Sequence, residues 1–169
     1  MSFVIPHPER PHMPDYGISS KHEGMLTWDW VNTQLEKARN YWIGSTRPNG
    51  GPHVAPVWGV WLEGRLYFGS SRGSRKGRNL IADPRVTVHL ESGDEVVIIE
   101  GRAEQVKEIE RLRQIGKVYG EKYPPFNPDP LNEPQNLYIG VIPQVVLAWL
   151  EKDFPNTATR WNFETLDKK

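Results

Sequence analysis

Four cations fall within seven positions of the stretch SSRGSRKGRNL (residues 70–80): Arg72, Arg75, Lys76 and Arg78. No acidic residue occurs from Arg65 to Ala82. Like charges this close repel unless water screens them or an anion holds them together. Gly69, Gly73 and Gly77 allow close backbone approach. The hydroxyls of Ser70, Ser71 and Ser74 can donate to anionic oxygens. A helix beginning here would aim its first free N–H groups at the same point. These are the parts of a phosphate site, with Arg and Lys supplying charge. Spacing alone leaves that reading level with a solvated basic face. The stretch is not GxxxxGK[ST], and no GxGxxG follows a strand, so neither a P-loop nor a dinucleotide fold is supported.

A second stretch, His53-Val54-Ala55-Pro56-Val57-Trp58-Gly59, reads as a strand with a proline inside it. Pro56 cannot donate to a neighbouring strand, so it belongs at an edge, at a bulge, or where a ligand replaces the neighbour. A flat heterocycle could lie along such a strand; a plain edge strand is the simpler alternative. Other chemistry finds little support. There is no cysteine, which excludes disulfides, thiolate catalysis and Cys-ligated zinc. The five histidines show neither HxH nor HExxH spacing, so no metal site is expected. Glu91, Asp94, Glu95, Glu100 and Glu104 gather around one hairpin and read as solvated edge charges. No nucleophilic triad can be drawn from spacing. Tyr41, His53 and Tyr138 remain open as proton sources beside solvent.

The elements that must position these residues are mostly strands. Residues 1–24, rich in Pro, Gly and His, form an extended arm, ordered only where it lies on something. Thr27 N-caps a helix whose Trp28, Val31, Leu35 and Ala38 make one apolar face, closed by Arg39. Strands are expected at 41–46, 54–62 and 65–70, with RPNGG and Glu63-Gly64 as turns, forming a meander of hairpins. A helix over 73–81 ends at Asp83-Pro84. Strands 86–90 and 95–106 follow, then a helix over 108–121. That helix would place Ile109, Leu112, Ile115 and Val118/Tyr119 on one side. Five prolines and three asparagines mark 124–136 as a loop. A sixth strand covers 137–150, bent at Pro143. The whole is one mainly β domain over 25–152: a six-stranded antiparallel barrel with flanking helices. A tail over 153–169 packs on the barrel or on a partner subunit. The apolar run Val96–Ile99 predicts burial on both faces of its strand, and hence a homodimer. The seven tryptophans read mainly as packing.

The chain has 169 residues and no net charge, so no global attraction to nucleic acid or anionic membrane is expected. No apolar run spans a bilayer and the N-terminus is no secretory signal. A cytoplasmic protein is expected. A barrel with a basic patch and aromatics could bind single-stranded nucleic acid, but the neutral charge argues for a compact phosphate instead.

With both stretches in view, RLYFGSSRGSRKGRNLIADPRVTV and the preceding RPNGGPHVAPVWGVWLEG resemble the pyridoxamine 5′-phosphate oxidase-like superfamily. These are split β-barrel oxidoreductases that depend on flavin or deazaflavin. The likeness covers roughly residues 27–107. It implies a split barrel of the FMN-binding type. It implies that Ser74, Arg75 and Lys76 bind the cofactor phosphate, lined also by Gly69, Ser70 and Ser71. It implies that Ala55, Pro56, Val57 and Trp58 lie against the ring. It further implies a homodimer with the cofactor at the subunit interface, and hydride transfer to a small organic acceptor. The tail TATRWNFETLDKK does not match the substrate-binding segment of the vitamin B6 oxidase. With Arg72 and Arg78 as extra cations, the resemblance is to the coenzyme F420-using branch. FMN is the alternative cofactor, and a non-catalytic carrier of flavin, haem or tetrapyrrole an alternative role.

Overall fold

The computed structural model describes residues 3–163. Helix α1 (Trp28–Lys37) starts where expected: the Thr27 side chain accepts from the Trp30 N–H, and Val31 and Leu35 are buried. It stops two residues short of Arg39. The Arg39 guanidinium instead lies over the rings of Trp58 and Tyr123, at 5.4 and 5.7 Å.

The strands are β1 (Asn40–Thr46), β2 (Pro52–Trp58), β3 (Val60–Leu62), β4 (Arg65–Ser71), β5 (Arg85–His89), β6 (Glu95–Gln105), β7 (Asn136–Leu150) and β8 (Thr159–Asn162). Their order in the sheet is β2-β1-β5-β6-β7-β4-β3, with β8 also paired to β7. All pairs are antiparallel. The two ends of this order, β2 and β3, are consecutive in sequence, joined only by Gly59. The sheet therefore curls until its ends meet at one residue, which makes it a split barrel. The spacing had predicted six strands and a continuous one over 54–62. Gly59 breaks that one in two, and β8 adds another. The expected meander is also reordered, because β1 pairs with β5 and β4 with β7.

The central strands are rich in β-branched residues, which suit a buried, pleated surface. Val97 and Ile99 of β6 enter the barrel core; Val96 is buried as well, and Ile98 half-buried. On β7 a bulge accommodates Pro143: Glu100 faces Val145, whereas Gly101 faces Pro143. The barrel interior holds Leu35, Tyr41, Ile43, Phe68, Ile99 and Trp161 among others. Burying each such side chain contributes roughly 1.5–3 kcal/mol. A second apolar cluster lies outside the barrel, where α3 (Ile109–Lys122) covers β3, β4 and β7 with Ile115, Tyr119 and Tyr123. Ile109 does not join that face; it is exposed.

The N-terminal arm lies on the chain's other end. Glu9 and Arg160 exchange backbone hydrogen bonds of 2.9 and 2.8 Å. The Arg10 guanidinium donates to the carbonyls of Lys21, Glu23, Asn156 and Ala158. After β7 come a short 3-10 turn (Glu151–Asp153), α4 (Phe154–Thr157) and β8. Residues 164–169 lie outside the described residues. Among the described residues no helix is long and apolar enough to cross a membrane.

Candidate functional site

Between β4 and α2 (Arg75–Ala82), the loop builds itself from serines. Ser74 is the N-cap of α2: its oxygen accepts the Gly77 N–H at 3.0 Å, and its hydroxyl donates to the Ser71 carbonyl at 2.8 Å. Ser70 Oγ sits 3.0 Å from Ser74 Oγ, and the Gly73 N–H donates to Ser71 Oγ at 3.3 Å. Gly77 is obligatory in this packing, since a Cβ there would stand 2.3 Å from the Ser71 carbonyl oxygen. The hydroxyls read as anion donors thus shape the loop first.

Charge is left to the cations. Among the described residues none of Arg72, Arg75, Lys76 and Arg78 pairs with a carboxylate. Arg72 is held by its backbone N–H to the Gln135 carbonyl and by Nε to the Pro134 carbonyl. It therefore anchors the 124–136 loop against this one. Arg75 and Arg78 are exposed. Lys76 is half-buried, and burial pulls its pKa below the usual lysine value. An ammonium desolvated without a counter-charge gains from any anion that reaches it. Arg75 and Lys76 open α2, where backbone N–H groups have no intrahelical acceptor.

One turn after Lys76, Asn79 is only 1% exposed. Its Nδ2 donates to Ser45 Oγ at 3.1 Å, while Oδ1 has no partner. His53, opposite Ser45 on β2, has a buried Nδ1 that also lacks a partner. In sequence Asn79 is one of the polar residues of this helix, beside Arg75, Lys76 and Arg78. It faces inward, and Ile81, read as apolar, is 61% exposed. Unpaired buried polar atoms are uncommon and costly. These two fit the hydroxyls of a polyol chain adjoining a phosphate.

The other stretch forms the open edge of the sheet, since β2 ends the strand order and pairs only with β1. This is where Pro56, opposite Trp42, is tolerated. The four ring-side residues do not share a face. Val57 enters the barrel core, whereas Pro56 and Trp58 are exposed and Ala55 is half-buried. Trp58 is 40% exposed and stacks on Tyr123, with centroids 4.7 Å apart and planes at 5°.

The structure brings the two stretches together through Tyr119, which the helical spacing places on the apolar side of α3. The Tyr119 hydroxyl donates to the Trp58 carbonyl at 2.6 Å and accepts the Gly69 N–H at 3.3 Å. Helix α2 also packs on β1, β2 and β4. The signal available in sequence was Tyr119 and Tyr123 at i,i+4 spacing, which puts both on one helix face.

Of the open proton sources, Tyr41 is fully buried; its hydroxyl donates to the Leu35 carbonyl and accepts from Lys122. Tyr138 packs beside Gly69 and donates to Glu133 at 2.7 Å. Burial, then the Glu133 hydrogen bond, push its pKa above the ordinary phenol value. A cleft of about 1300 Å³ lies elsewhere, where Arg65, Arg102 and Arg111 stand among Glu63, Glu104 and Glu108. It contains none of the candidate residues, and its charges are mixed.

Comparison with solved structures agrees with this architecture. The chain is similar to a conserved hypothetical protein from Mycobacterium tuberculosis, at 24% identity and TM-score 0.67, covering 78% of this chain and 89% of that one. It is similar to an F420 reductase at 22% identity and TM-score 0.57, covering 68% and 94%. It is also similar to a FAD-binding protein from Mesorhizobium loti at 19% identity and TM-score 0.58, covering 80% and 95%. At these identities the likeness establishes the fold. No curated protein matches the sequence. The sequence model described as pyridoxamine 5′-phosphate oxidase matches residues 28–149. That span runs from α1 through β7 and holds both candidate stretches, so the chain belongs to the pyridoxamine 5′-phosphate oxidase family.

Proposed function

We propose that the protein is an oxidoreductase that holds coenzyme F420 and passes a hydride to a small organic acceptor. The observation that carries this is Lys76: a half-buried ammonium with no carboxylate partner among the described residues, at the start of a helix, beside two buried polar atoms without partners there. When bound, the coenzyme supplies the hydride chemistry. The chain's own work is placement. Arg75 and Lys76 neutralise the phosphate, Asn79 and His53 offer partners to the polyol, and Gly69, Ser70, Ser71 and Ser74 set the loop. Pro56 and Trp58, exposed on the same side of the β2 edge, supply the wall for the ring. Tyr138 holds a proton at its hydroxyl, already directed at Glu133. F420 is favoured by Arg78, an exposed extra cation on α2 for its more anionic tail. FMN is the second reading, supported by a loop that offers one phosphate-sized site. We further propose a homodimer, supported by Val54 and Trp58, apolar and exposed on the open β2 edge.

The test is spectral. Purified protein is titrated separately with F420 and FMN, following bound absorbance and fluorescence. Saturable F420 binding with weak FMN binding is expected. Failure of both to bind overturns the reading, and tight FMN binding alone replaces F420 with FMN.

A further inference from the structure

The last turn of α3 is committed to two peptide units. Tyr119 bonds the Trp58 carbonyl, Lys122 Nζ donates to the Gly59 carbonyl at 3.0 Å, and the Tyr123 hydroxyl accepts the Gly59 N–H at 3.0 Å. Tyr123 shares its own hydrogen between the carbonyls of Arg39 and Gly59, at 2.7 and 2.8 Å. These contacts fall where the barrel splits. In the β3–β4 hairpin Leu62 faces Arg65 and Val60 faces Tyr67. Extending that register by two residues sets Trp58 opposite Gly69. An antiparallel ladder would there join the Gly69 N–H directly to the Trp58 carbonyl. The structure has a phenol in that position instead: both groups bond to Tyr119 Oη.

We infer that Tyr119 is a positioning residue that props the barrel open, holding the ring-side strand one hydroxyl away from the phosphate strand. Tyr123, which bonds both the N–H and the carbonyl of the neighbouring Gly59, fixes it so that the gap cannot close by rotation of the hinge, and Lys122 adds only a second donor to that carbonyl. The propped gap sets the distance between the two parts of the candidate site: β2, which ends at Trp58, and the loop that follows Gly69. This inference rests on the proposed coenzyme site for its consequence, though not for its geometry. A tyrosine core position explained by packing alone would not need a hydroxyl. Here the phenol oxygen bonds both groups where a ladder bond would run, and buried N–H and C=O groups are rarely left unpaired.

Tyr119→Phe tests it, because it removes the oxygen and keeps the ring. Two measurements are made on the full chain. By NMR, the variant is expected to bring Trp58 and Gly69 into direct cross-strand contact, with Gly69 amide exchange slowed by a ladder bond. By titration, F420 and FMN affinity is expected to fall about tenfold, the worth of roughly one hydrogen bond's free energy. The affinity for inorganic phosphate, which needs only the loop, stays unchanged. A general loss of stability would lower both affinities, so the divergence between them marks positioning. A variant whose Trp58–Gly69 separation and coenzyme affinity both match the wild type overturns the inference. If wild-type protein binds neither coenzyme, the proposed function fails, and the NMR arm alone decides the prop: closure supports it and an unchanged gap refutes it.

Discussion

Lys76 and Lys122 share a side-chain type and a half-buried setting, on two helices that flank the same seam, and the protein treats them differently. Lys122 donates to the Tyr41 hydroxyl at 2.9 Å and the Gly59 carbonyl at 3.0 Å, and lies 4.9 and 5.4 Å from the Tyr41 and Tyr123 ring centroids. Its needs are met from within the chain. Among the described residues Lys76 has no carboxylate partner, and Asn79 Oδ1 and His53 Nδ1 are also short of partners. Burial lowers the pKa of both. A perturbed pKa therefore does not tell a site from a strut; whether the charge is already answered does.

The largest effect should come from removing the unanswered charges. Arg75→Ala with Lys76→Ala is expected to weaken F420 or FMN binding by about 100-fold or more, since charge-assisted hydrogen bonds contribute roughly 1.5–3 kcal/mol each. The melting temperature without ligand should hold or rise, because a desolvated ammonium has gone. Lys122→Met should leave coenzyme affinity within about threefold while lowering the melting temperature, the reverse pattern. Fluorescence titration and thermal unfolding of both variants decide it. Equal loss of binding in the two would erase the distinction.

A backbone substitution tests the loop's shape apart from its charge. Gly77→Ala must push the new Cβ away from the Ser71 carbonyl. The expected cost is about 1–3 kcal/mol by urea unfolding, in the range of overpacked sites. Phosphate affinity should fall with it, although every cation remains. Unchanged stability would mean that the loop gives way freely and is not a fixed cradle.

How much of this was readable in the sequence follows from range. Local chemistry was legible: Thr27 is an N-cap and Asp83-Pro84 ends α2, each through contacts a few residues apart. Pro56 narrows its strand to an edge, a bulge or a ligand contact because a missing donor is a property of the residue itself, and the structure has it on the edge strand β2. Contacts across the fold were not legible. PVWGVWL reads as one alternating strand, and nothing local shows that Gly59 joins the opposite ends of a curled sheet. Close packing demands that glycine, since a Cβ there would meet Leu66 Cδ1 at 2.9 Å and the Tyr67 carbonyl at 3.1 Å. Tyr119 reads only as one side of α3 for the same reason: its ring packs in the cluster beneath that helix, and the partners of its oxygen, 50 and 61 residues away, reveal the rest. The four residues of β8 were too few to carry a pattern.

The finest test of the two-lysine contrast is pH. Burial brings the Lys122 pKa down to about 8, against about 10.4 in an unfolded chain. Between those values the unfolded state binds more protons than the folded one, so stability attributable to Lys122 rises with pH across that window. Below pH 8 both states are protonated and the contribution is level. Tyr41 and Tyr123, which face the ammonium, have pKa values raised by burial and titrate in wild type and variant alike. The difference in unfolding free energy between wild type and Lys122→Met is therefore expected to shift in favour of wild type from pH 8 toward pH 10. Because the side chain is partly solvated, that shift should be modest. Salt should hardly change it, since the ammonium is held by a hydroxyl, a carbonyl and two rings rather than by an exposed counter-ion that ions could screen. Denaturation at pH 7, 8.5 and 9.5 reads it directly, and a flat difference would mean that Lys122 is as solvated as any surface lysine.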